Sequence, residues 1–358
     1  MDKKRILASV VVFLILAVLV YLQYRHWATF DWATFWSQTH RIQKLRVLYG
    51  VVLIYFAYFV RAVRWKIFLK PVRPKTSVSE LVSPTLIGFT GLAVLGRAGE
   101  FIRPYLIARK ADLSFSSQLA VWAVERIFDF GAFALLLSVA VFSEGGMLSI
   151  PDPGPFYRAL RAGVLLLNLI VAAVALVAVA INRWGETIAE RIEITLAHLP
   201  RDFGRRAASE VRKFGAGLNT IHGPASLFWA AVSSVGMWYV IALAYKAVTH
   251  SYGAPALDIP LIQVLILMGA SMAGSILQLP GVGGGSQLAV IAVLSGPFAA
   301  PTEMAASCGI LLWLVTFAAV IPVGLLLAHH ERLSLRKLST ESHQAEKEME
   351  EPPPTGRT

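Results

Sequence analysis

The chain has 358 residues, of which 56% are hydrophobic and 15% are charged, and its formal net charge is +11. Soluble domains have roughly 25% charged residues, so this composition excludes an ordinary soluble protein and favours an integral membrane protein. The basic excess is explained by loops that face anionic lipid headgroups, and binding to nucleic acid is not expected. A single cysteine, Cys308, excludes an intramolecular disulfide.

Six apolar segments are long enough, or nearly so, for the ~17–25 residues of a bilayer-spanning helix. They are 6–22, 45–60, 115–142, 162–181, 227–248 and 304–328. The first follows MDKKR and precedes no small-residue cleavage site, which indicates an uncleaved anchor. The sequence therefore predicts an all-α, polytopic membrane protein with six spanning helices.

The distribution of Lys and Arg predicts the orientation, because cytoplasmic loops are enriched in these residues. Segments 61–75 and 182–225 are rich in basic residues, whereas 143–160 and 249–260 hold one between them. The basic loop 23–46 argues mildly the other way. The best-fitting arrangement is a multi-pass protein of the bacterial inner membrane with both termini in the cytoplasm.

Two further apolar stretches are interrupted by glycine and proline. The first, 81–95, leads into GRAGEFIRPY at 96–105, and the second, 261–279, leads into PGVGGGSQ at 280–287. Each is too short to cross the membrane twice, which predicts a re-entrant or broken helix hairpin. Paired interruptions in corresponding positions of two halves are typical of a transporter's binding site.

A shift of 184 residues aligns the hydropathy of two halves and places the first interruption on the second. Each half then holds three spans, which predicts an inverted repeat. The membrane domain is expected at 1–330, with repeat one at about 6–142 and repeat two at about 162–328. An amphipathic cytoplasmic linker is predicted at 185–222 within the second repeat, and a disordered cytoplasmic tail at 339–358.

Six charged residues are predicted at membrane depth, around the first interruption and within the span at 115–142. A charged side chain at the centre of a membrane helix costs about 2.5–3.5 kcal/mol, so these residues are expected to face a protein interior or a wet cavity, with partners. They are Arg97, Glu100, Arg103, Glu125, Arg126 and Asp129.

Two interpretations of these three arginines and three carboxylates stay open. They could form an internal salt-bridge network that holds the first hairpin to the following span. Alternatively, Arg97 and Arg103, oriented by Glu100, bind an anion beside the free amides of the broken helix ends, because the guanidinium fork fits a phosphate.

The second interruption is uncharged and rich in glycine. Glycine allows the backbone to approach a ligand or another helix closely and to expose N–H groups in a nest, and a flexible, tightly packed hairpin tip is the alternative. The candidate site residues here are Pro280, Gly281, Gly283, Gly284, Gly285 and Gln287, with Gly99 as the corresponding glycine of the first interruption.

These motifs resemble the flippase-like family known as the lysylphosphatidylglycerol synthase transmembrane region, or uncharacterised protein family 0104. The resemblance is carried by RAGEFIRP at 97–104, VERIFD at 124–129 and LPGVGGG at 279–285, and it covers about residues 6–330. The family's third motif ends in Glu where this chain has Gln287, so a shared acidic role there is in doubt. The resemblance implies an integral membrane protein that moves or supplies lipids, here as the membrane part without a soluble aminoacyl-transfer domain.

The sequence thus predicts a lipid translocator for a phospholipid or a polyprenyl-phosphate-linked glycolipid, with the anionic headgroup at the broken helices. No cofactor, metal site or nucleotide-binding motif is predicted, and membrane lipids with anionic headgroups are the expected partners. Two alternatives stay open. One is a membrane enzyme that acts on a lipid-linked phosphate through Glu100, Glu125 or Asp129, and the other is a non-catalytic partner of a lipid-modifying or glycosyl-transferring enzyme.

Overall fold

A computed structural model describes residues 30–71, 73–143, 154–196, 223–279 and 283–350, together with parts of 204–215. Within them the helices are α1 (Trp32–His40), α2 (Lys44–Leu69), α3 (Val78–Leu95), α4 (Ile102–Ala111), α5 (Phe115–Phe142), α6 (Gly154–Thr195), α7 (Pro224–His250), α8 (Leu261–Gly274), α9 (Gly285–Ser295), α10 (Thr302–Trp313), α11 (Val320–His330) and α12 (Leu335–Glu350). Shorter elements are the 3-10 turns Gly96–Gly99, Pro255–Leu257 and Ser275–Leu277, the π-helical turn Leu314–Ala318, and the paired two-residue strands β1 (Gln278–Leu279) and β2 (Gly283–Gly284).

Five of the described helices are long and apolar enough to cross a membrane: α2, α3, α6, α7 and the continuous stretch Thr302–His330. Helix α5 has 28 residues, but Glu125, Arg126 and Asp129 lower its apolar character and it is not among the five. The predicted helical, multi-pass architecture is confirmed. The count of six spans stays a prediction, and the segment 6–22 lies outside the described residues.

Helix α2 corrects the predicted loop at 61–75. The helix continues to Leu69, and Arg61 and Arg64 lie on it with 7% and 0% of their surfaces exposed. A buried face that includes Tyr58 continues through Trp65 at helical spacing. The two arginines are therefore interior residues and do not belong to a solvated loop.

Helices α3 and α4 form the first predicted hairpin (hairpin 1). Gly96, with φ 66°, ends α3, and the chain turns back so that Gly88 faces the backbone of Arg103. A Cβ atom on Gly99 would collide with the backbone of Gly91. Glycine at these positions is therefore required for the close antiparallel contact of the two arms.

Helices α8 and α9 form the second hairpin (hairpin 2), which is joined by the strand pair β1 and β2. A Cβ atom on Gly285 would collide with the carbonyl group of Gly274, and Gly284 has φ 130°. The Gln287 side-chain oxygen accepts a hydrogen bond from the Gly284 N–H. The glycine run thus permits close packing and a tight turn, while residues 280–282, including Pro280 and Gly281, lie outside the described residues.

The order long helix, hairpin, long helix occurs twice, as α2 to α5 and as α7 to α11. The two leading helices, α2 and α7, pack antiparallel: Gly50 lies against Val248 near one end, and Arg64 contacts Ser234 towards the other. Hairpin 1 follows the C-terminal end of α2, and hairpin 2 follows the C-terminal end of α7. Because these helices are antiparallel, the hairpins begin at opposite ends of the pair.

The C-terminal region departs from the predicted disordered tail at 339–358. Helix α12 runs to Glu350, with Leu338 buried against hairpin 1. The Tyr105 hydroxyl donates a hydrogen bond to Glu341 at 3.0 Å. The apolar face of α12 is short, and its burial depends on the surface that α4 offers.

The predicted linker at 185–222 begins as a continuation of α6 beyond a kink at Trp184. The described part of the segment that follows returns to this end of α6, where Arg212 pairs with Glu186 at 2.8 Å. Its placement at a cytoplasmic interface stays a prediction.

Candidate functional site

A buried ion cluster lies where α2, α4 and α5 meet. Arg64 is at its centre and donates hydrogen bonds to three side chains: to Glu125 Oε1 at 2.5 Å, and to Asp129 Oδ1 and Ser234 Oγ at 2.6 Å each. Glu125 and Asp129 are 0% and 3% exposed. Their four-residue spacing on α5 points both carboxylates at α2, as the sequence predicted for one helix face.

Arg103 supplies the connection between hairpin 1 and this cluster. Both of its terminal nitrogens donate to the Glu125 carboxylate, in the two-pronged arrangement that suits a guanidinium. Its guanidinium also lies 4.4 Å from the ring centre of Trp65 and 5.1 Å from that of Phe89. Arg103 is only 4% exposed, so its donors are directed into the protein interior.

Arg61 and Arg126 complete the cluster. Arg61 approaches Asp129 Oδ2 at 3.0 Å, and Arg126 approaches the same oxygen at 3.1 Å and Glu125 at 3.5 Å. The Arg126 side chain is 32% exposed, far more than the other members. Arg126 is therefore the member of the cluster that is most accessible to a ligand.

The cluster carries a formal charge of +2, because four guanidinium groups surround two carboxylates. Arginine keeps its proton in proteins, so this charge does not disappear by titration. A buried net charge is unfavourable unless a counter-charge or hydrogen-bonding partners compensate it. The arrangement consequently favours an anion beside Arg126.

A cavity of about 1150 Å³ adjoins the cluster. Its charged end is bordered by Arg61, Arg97, Arg126, Glu100 and Asp129. The remaining wall is mostly apolar and is contributed by α5, α6 and hairpin 2, including Phe133, Leu137, Phe156, Leu160, Leu167, Ile266 and Met272. One cavity thus combines a charged group of residues, in which arginine predominates, with a mostly apolar wall.

A second cavity, of about 280 Å³, shares Arg61 and Arg126 with the first. Ser286 and Gln287 of hairpin 2 line it, together with Thr316 of the π-helical turn. The two interruptions singled out in the sequence therefore meet at adjoining cavities, with Arg126 between them.

The predicted site residues divide into cavity, network and packing positions. Arg97 and Glu100 border the larger cavity, and neither forms an ion pair within the described part of the chain. The predicted orienting role of Glu100 is wrong, since Glu125 is the carboxylate that holds Arg103. Gly99 is buried in the hairpin contact and has no surface for a ligand.

The predicted balance of three arginines and three carboxylates is wrong, because Arg61 and Arg64, which the sequence assigns to a loop, belong to the cluster. The sequence contains a signal for their burial. Arg61 and Arg64 continue the buried face of α2 at helical spacing, and α5 carries two carboxylates at membrane depth. Among the residues that the structure describes, no group of three or more His, Cys, Asp and Glu side chains is placed to hold a metal ion.

Comparison with known proteins identifies the family. The family model described as the lysylphosphatidylglycerol synthase TM region matches residues 6–332, so the chain belongs to this family. Together with the apolar helices, this establishes a multi-pass membrane protein of a family related to lipid modification or flipping. No curated protein and no solved structure gave a significant match.

Proposed function

We propose that this member of the family is a translocator that moves a lipid with an anionic headgroup across the bilayer. The headgroup binds at Arg126, with Arg61 and Arg97 beside it. The observation that carries the proposal is the opening of a buried cluster of charge +2, through a partly exposed Arg126, into a large cavity with apolar walls. Guanidinium groups bind phosphate by paired, charge-assisted hydrogen bonds.

The shape of the cavity fits a molecule with one charged end and long hydrocarbon chains. Helix α6 packs mainly against α5, and most of its apolar residues remain exposed, including Leu165 and Leu169. The cavity wall on this side is thus formed by a single helix whose outer face is exposed. Acyl or polyprenyl chains reach the surrounding bilayer past α6 while the headgroup stays at Arg126.

An inverted repeat is the proposed basis for alternating access, and reciprocal contacts support it. Gly50 contacts Val248, and Arg64 contacts Ser234. A shift of 184 residues converts 50 into 234 and 64 into 248, so the two contacts exchange under one operation. Such reciprocity is expected of a two-fold relation, and inverted repeats place substrates at the interface of the halves.

The finer topology follows from this proposal. With α3 counted as an arm of hairpin 1, the other four candidate spans are α2, α6, α7 and Thr302–His330. The segment 6–22 and helix α5 bring the number to six, and α5 is accommodated because its charges are directed into the protein. The hairpins re-enter from opposite faces of an inner membrane, with both chain termini in the cytoplasm. Cysteine labelling in intact cells should find position 70 inside and position 252 outside, and labelling of both from one side would contradict the inversion.

Transport by reconstituted protein tests the function directly. Vesicles that contain a reporter-labelled anionic phospholipid would be assayed for headgroup accessibility with and without the protein. Arg126→Gln should slow transport by about 10- to 100-fold, because it removes charge-assisted hydrogen bonds worth about 1.5–3 kcal/mol. Arg109→Gln is the matched control, since Arg109 is exposed on α4 and does not line the cavity.

The double variant Arg97→Gln/Arg126→Gln gives the decisive outcome. If it folds, as judged by its melting temperature, and still moves anionic lipid at the wild-type rate, the headgroup site is refuted. A loss of transport that is equal for Arg109→Gln would likewise show that bulk surface charge, and not the cavity, controls the rate.

A further inference from the structure

The smaller of the two cavities is lined by several neutral polar side chains among mostly apolar residues, and we refer to it as the chamber. It lies between α2, α7, hairpin 2 and α10, and it meets the larger cavity at Arg61 and Arg126. Trp238 and Trp313 contribute to its wall together with neutral polar side chains such as Tyr245 and Thr316. Among the described residues no carboxylate lines it.

Four polar atoms of residues that line the chamber are buried without a hydrogen-bond partner among the described protein atoms. They are Arg126 Nε, Trp238 Nε1, Trp313 Nε1 and Ser286 Oγ. Trp238 and Ser286 are 9% and 7% exposed, so bulk water reaches them poorly. The arginine and indole N–H groups can only donate, and the serine hydroxyl can donate or accept. A group that reaches any of these atoms would satisfy it by offering oxygen lone pairs.

The chamber also provides acceptors for a ligand that carries hydroxyl groups. The Tyr245 hydroxyl donates to Ser271 Oγ at 3.0 Å, and the Thr316 hydroxyl donates to the Leu312 carbonyl at 2.7 Å. Because their protons are already engaged, the tyrosine and threonine oxygens keep lone pairs that can accept. A hydroxyl-bearing group can thus both accept and donate here, and the two indole rings offer flat apolar faces.

An ammonium group is poorly served by the same surroundings. The indole faces can attract a cation. However, an ammonium group has no carboxylate to pair with in the chamber, and the guanidinium groups of Arg61 and Arg126 would repel it. The volume of about 280 Å³ suits a compact headgroup. The residues that line the chamber therefore favour a polyol over an amine.

We propose that the chamber selects the lipid by the group beyond its phosphate: it binds an uncharged, hydroxyl-rich group, a sugar or polyol, and disfavours an amine. This inference rests on the proposed function, in which Arg126 holds the phosphate at the boundary of the two cavities. The substrate class is then an anionic phospholipid or lipid-linked phosphate with a hydroxylated headgroup.

Three short-chain lipids separate charge from hydroxyl recognition. Dihexanoyl phosphatidylinositol and phosphatidylethanol carry the same single negative charge, and only the first has a polyol. Phosphatidylethanolamine adds an ammonium group to the ethanol group and thereby brings the net charge of the lipid to zero. Dissociation constants measured on the purified protein in detergent should be lowest for the inositol lipid, intermediate for phosphatidylethanol and highest for phosphatidylethanolamine.

Two conservative variants test the chamber itself. Ser286→Ala and Trp313→Phe should each weaken binding of phosphatidylinositol by about two- to tenfold, the effect of one lost hydrogen bond, and leave phosphatidylethanol unchanged. Ser295→Ala and Trp229→Phe are matched controls, because Ser295 bonds a carbonyl of its own helix and Trp229 is 57% exposed. Neither control variant should change the dissociation constant of either lipid.

The outcomes separate the two proposals. If the double variant Ser286→Ala/Trp313→Phe melts normally and keeps the full preference for phosphatidylinositol, or if phosphatidylethanolamine binds as tightly as phosphatidylinositol, the chamber's role is overturned while the headgroup site stands. If phosphatidylethanol binds no more tightly than phosphatidylethanolamine, and Arg126→Gln alters the dissociation constant of neither lipid, the proposed function is refuted. The role of the chamber, which rests on it, is then refuted as well.

Discussion

Replacing Glu125 with glutamine tests the buried cluster most directly, because the change removes a charge and keeps the size of the side chain. Glu125 accepts hydrogen bonds from Arg64 and Arg103 and is 0% exposed. Its loss as an anion raises the formal charge of the cluster from +2 to +3. Breaking a buried ion pair costs about 3–5 kcal/mol, which for a chain of this size corresponds to a fall in melting temperature of about 4–7 °C.

The assay is thermal unfolding of the purified protein in detergent, followed by intrinsic tryptophan fluorescence. Glu190→Gln is the control, since Glu190 is exposed on α6 and its replacement should leave the midpoint unchanged. Arg126→Gln should lower the midpoint less than Glu125→Gln, because it reduces the cluster charge to +1 at a partly exposed position. A midpoint for Glu125→Gln equal to that of Glu190→Gln would refute the argument that this network holds hairpin 1 in place.

Other variants probe packing, geometry and pH. Arg103→Lys keeps the charge but loses the two-pronged contact with the carboxylate of α5, so it should lower the melting temperature by several degrees. Gly285→Ala should destabilise markedly because of its contact with α8, whereas Gly236→Ala, which has open space, should not, and equal midpoints would contradict the close approach. Burial raises the pKa of Glu331, but its hydrogen bond with Lys110 helps to outweigh this and holds that pKa below its usual value. Its stabilising contribution is therefore present above about pH 4.3 and lost as the pH falls through the lowered pKa, and Glu331→Gln should make the midpoint less sensitive to acid in that range.

Much of the helical framework could be predicted from the sequence. Length and hydropathy predict the long helices, and α5 has the predicted bounds of 115–142. The two hairpins were predictable because glycine and proline interrupt apolar segments that are too short to cross twice. These signals are local, so a single sequence without an alignment is enough to detect them.

The candidate site was predicted only in part, for physical reasons. Arg97, Glu100 and Arg126 were found because charges are rare at membrane depth. Arg61 and Arg64 were missed, because a basic residue after an apolar run reads equally well as a cytoplasmic loop. Only the three-dimensional arrangement shows that the carboxylates of α5 draw these residues inward.

The docking of α12 was also missed. Leu335 and Leu338 are its main apolar contacts, and the rest of its sequence is strongly polar. Such a short apolar face does not distinguish a docked helix from a solvated segment. The outcome depends on the complementary surface of hairpin 1, which no local pattern reveals.

The permanence of the arginine charges has a consequence for energetics. The guanidinium groups of α2, α4 and α5 stay protonated and are tied to each other through Glu125 and Asp129, so the charge that crosses the bilayer in the proposed mechanism is that of the lipid. An inside-negative potential of 100 mV is worth about 2.3 kcal/mol for each elementary charge that crosses fully. At equilibrium, a passive translocator would then enrich a monoanionic lipid in the outer leaflet by up to about 50-fold, so the electrical polarity of the cell would by itself give transport a direction.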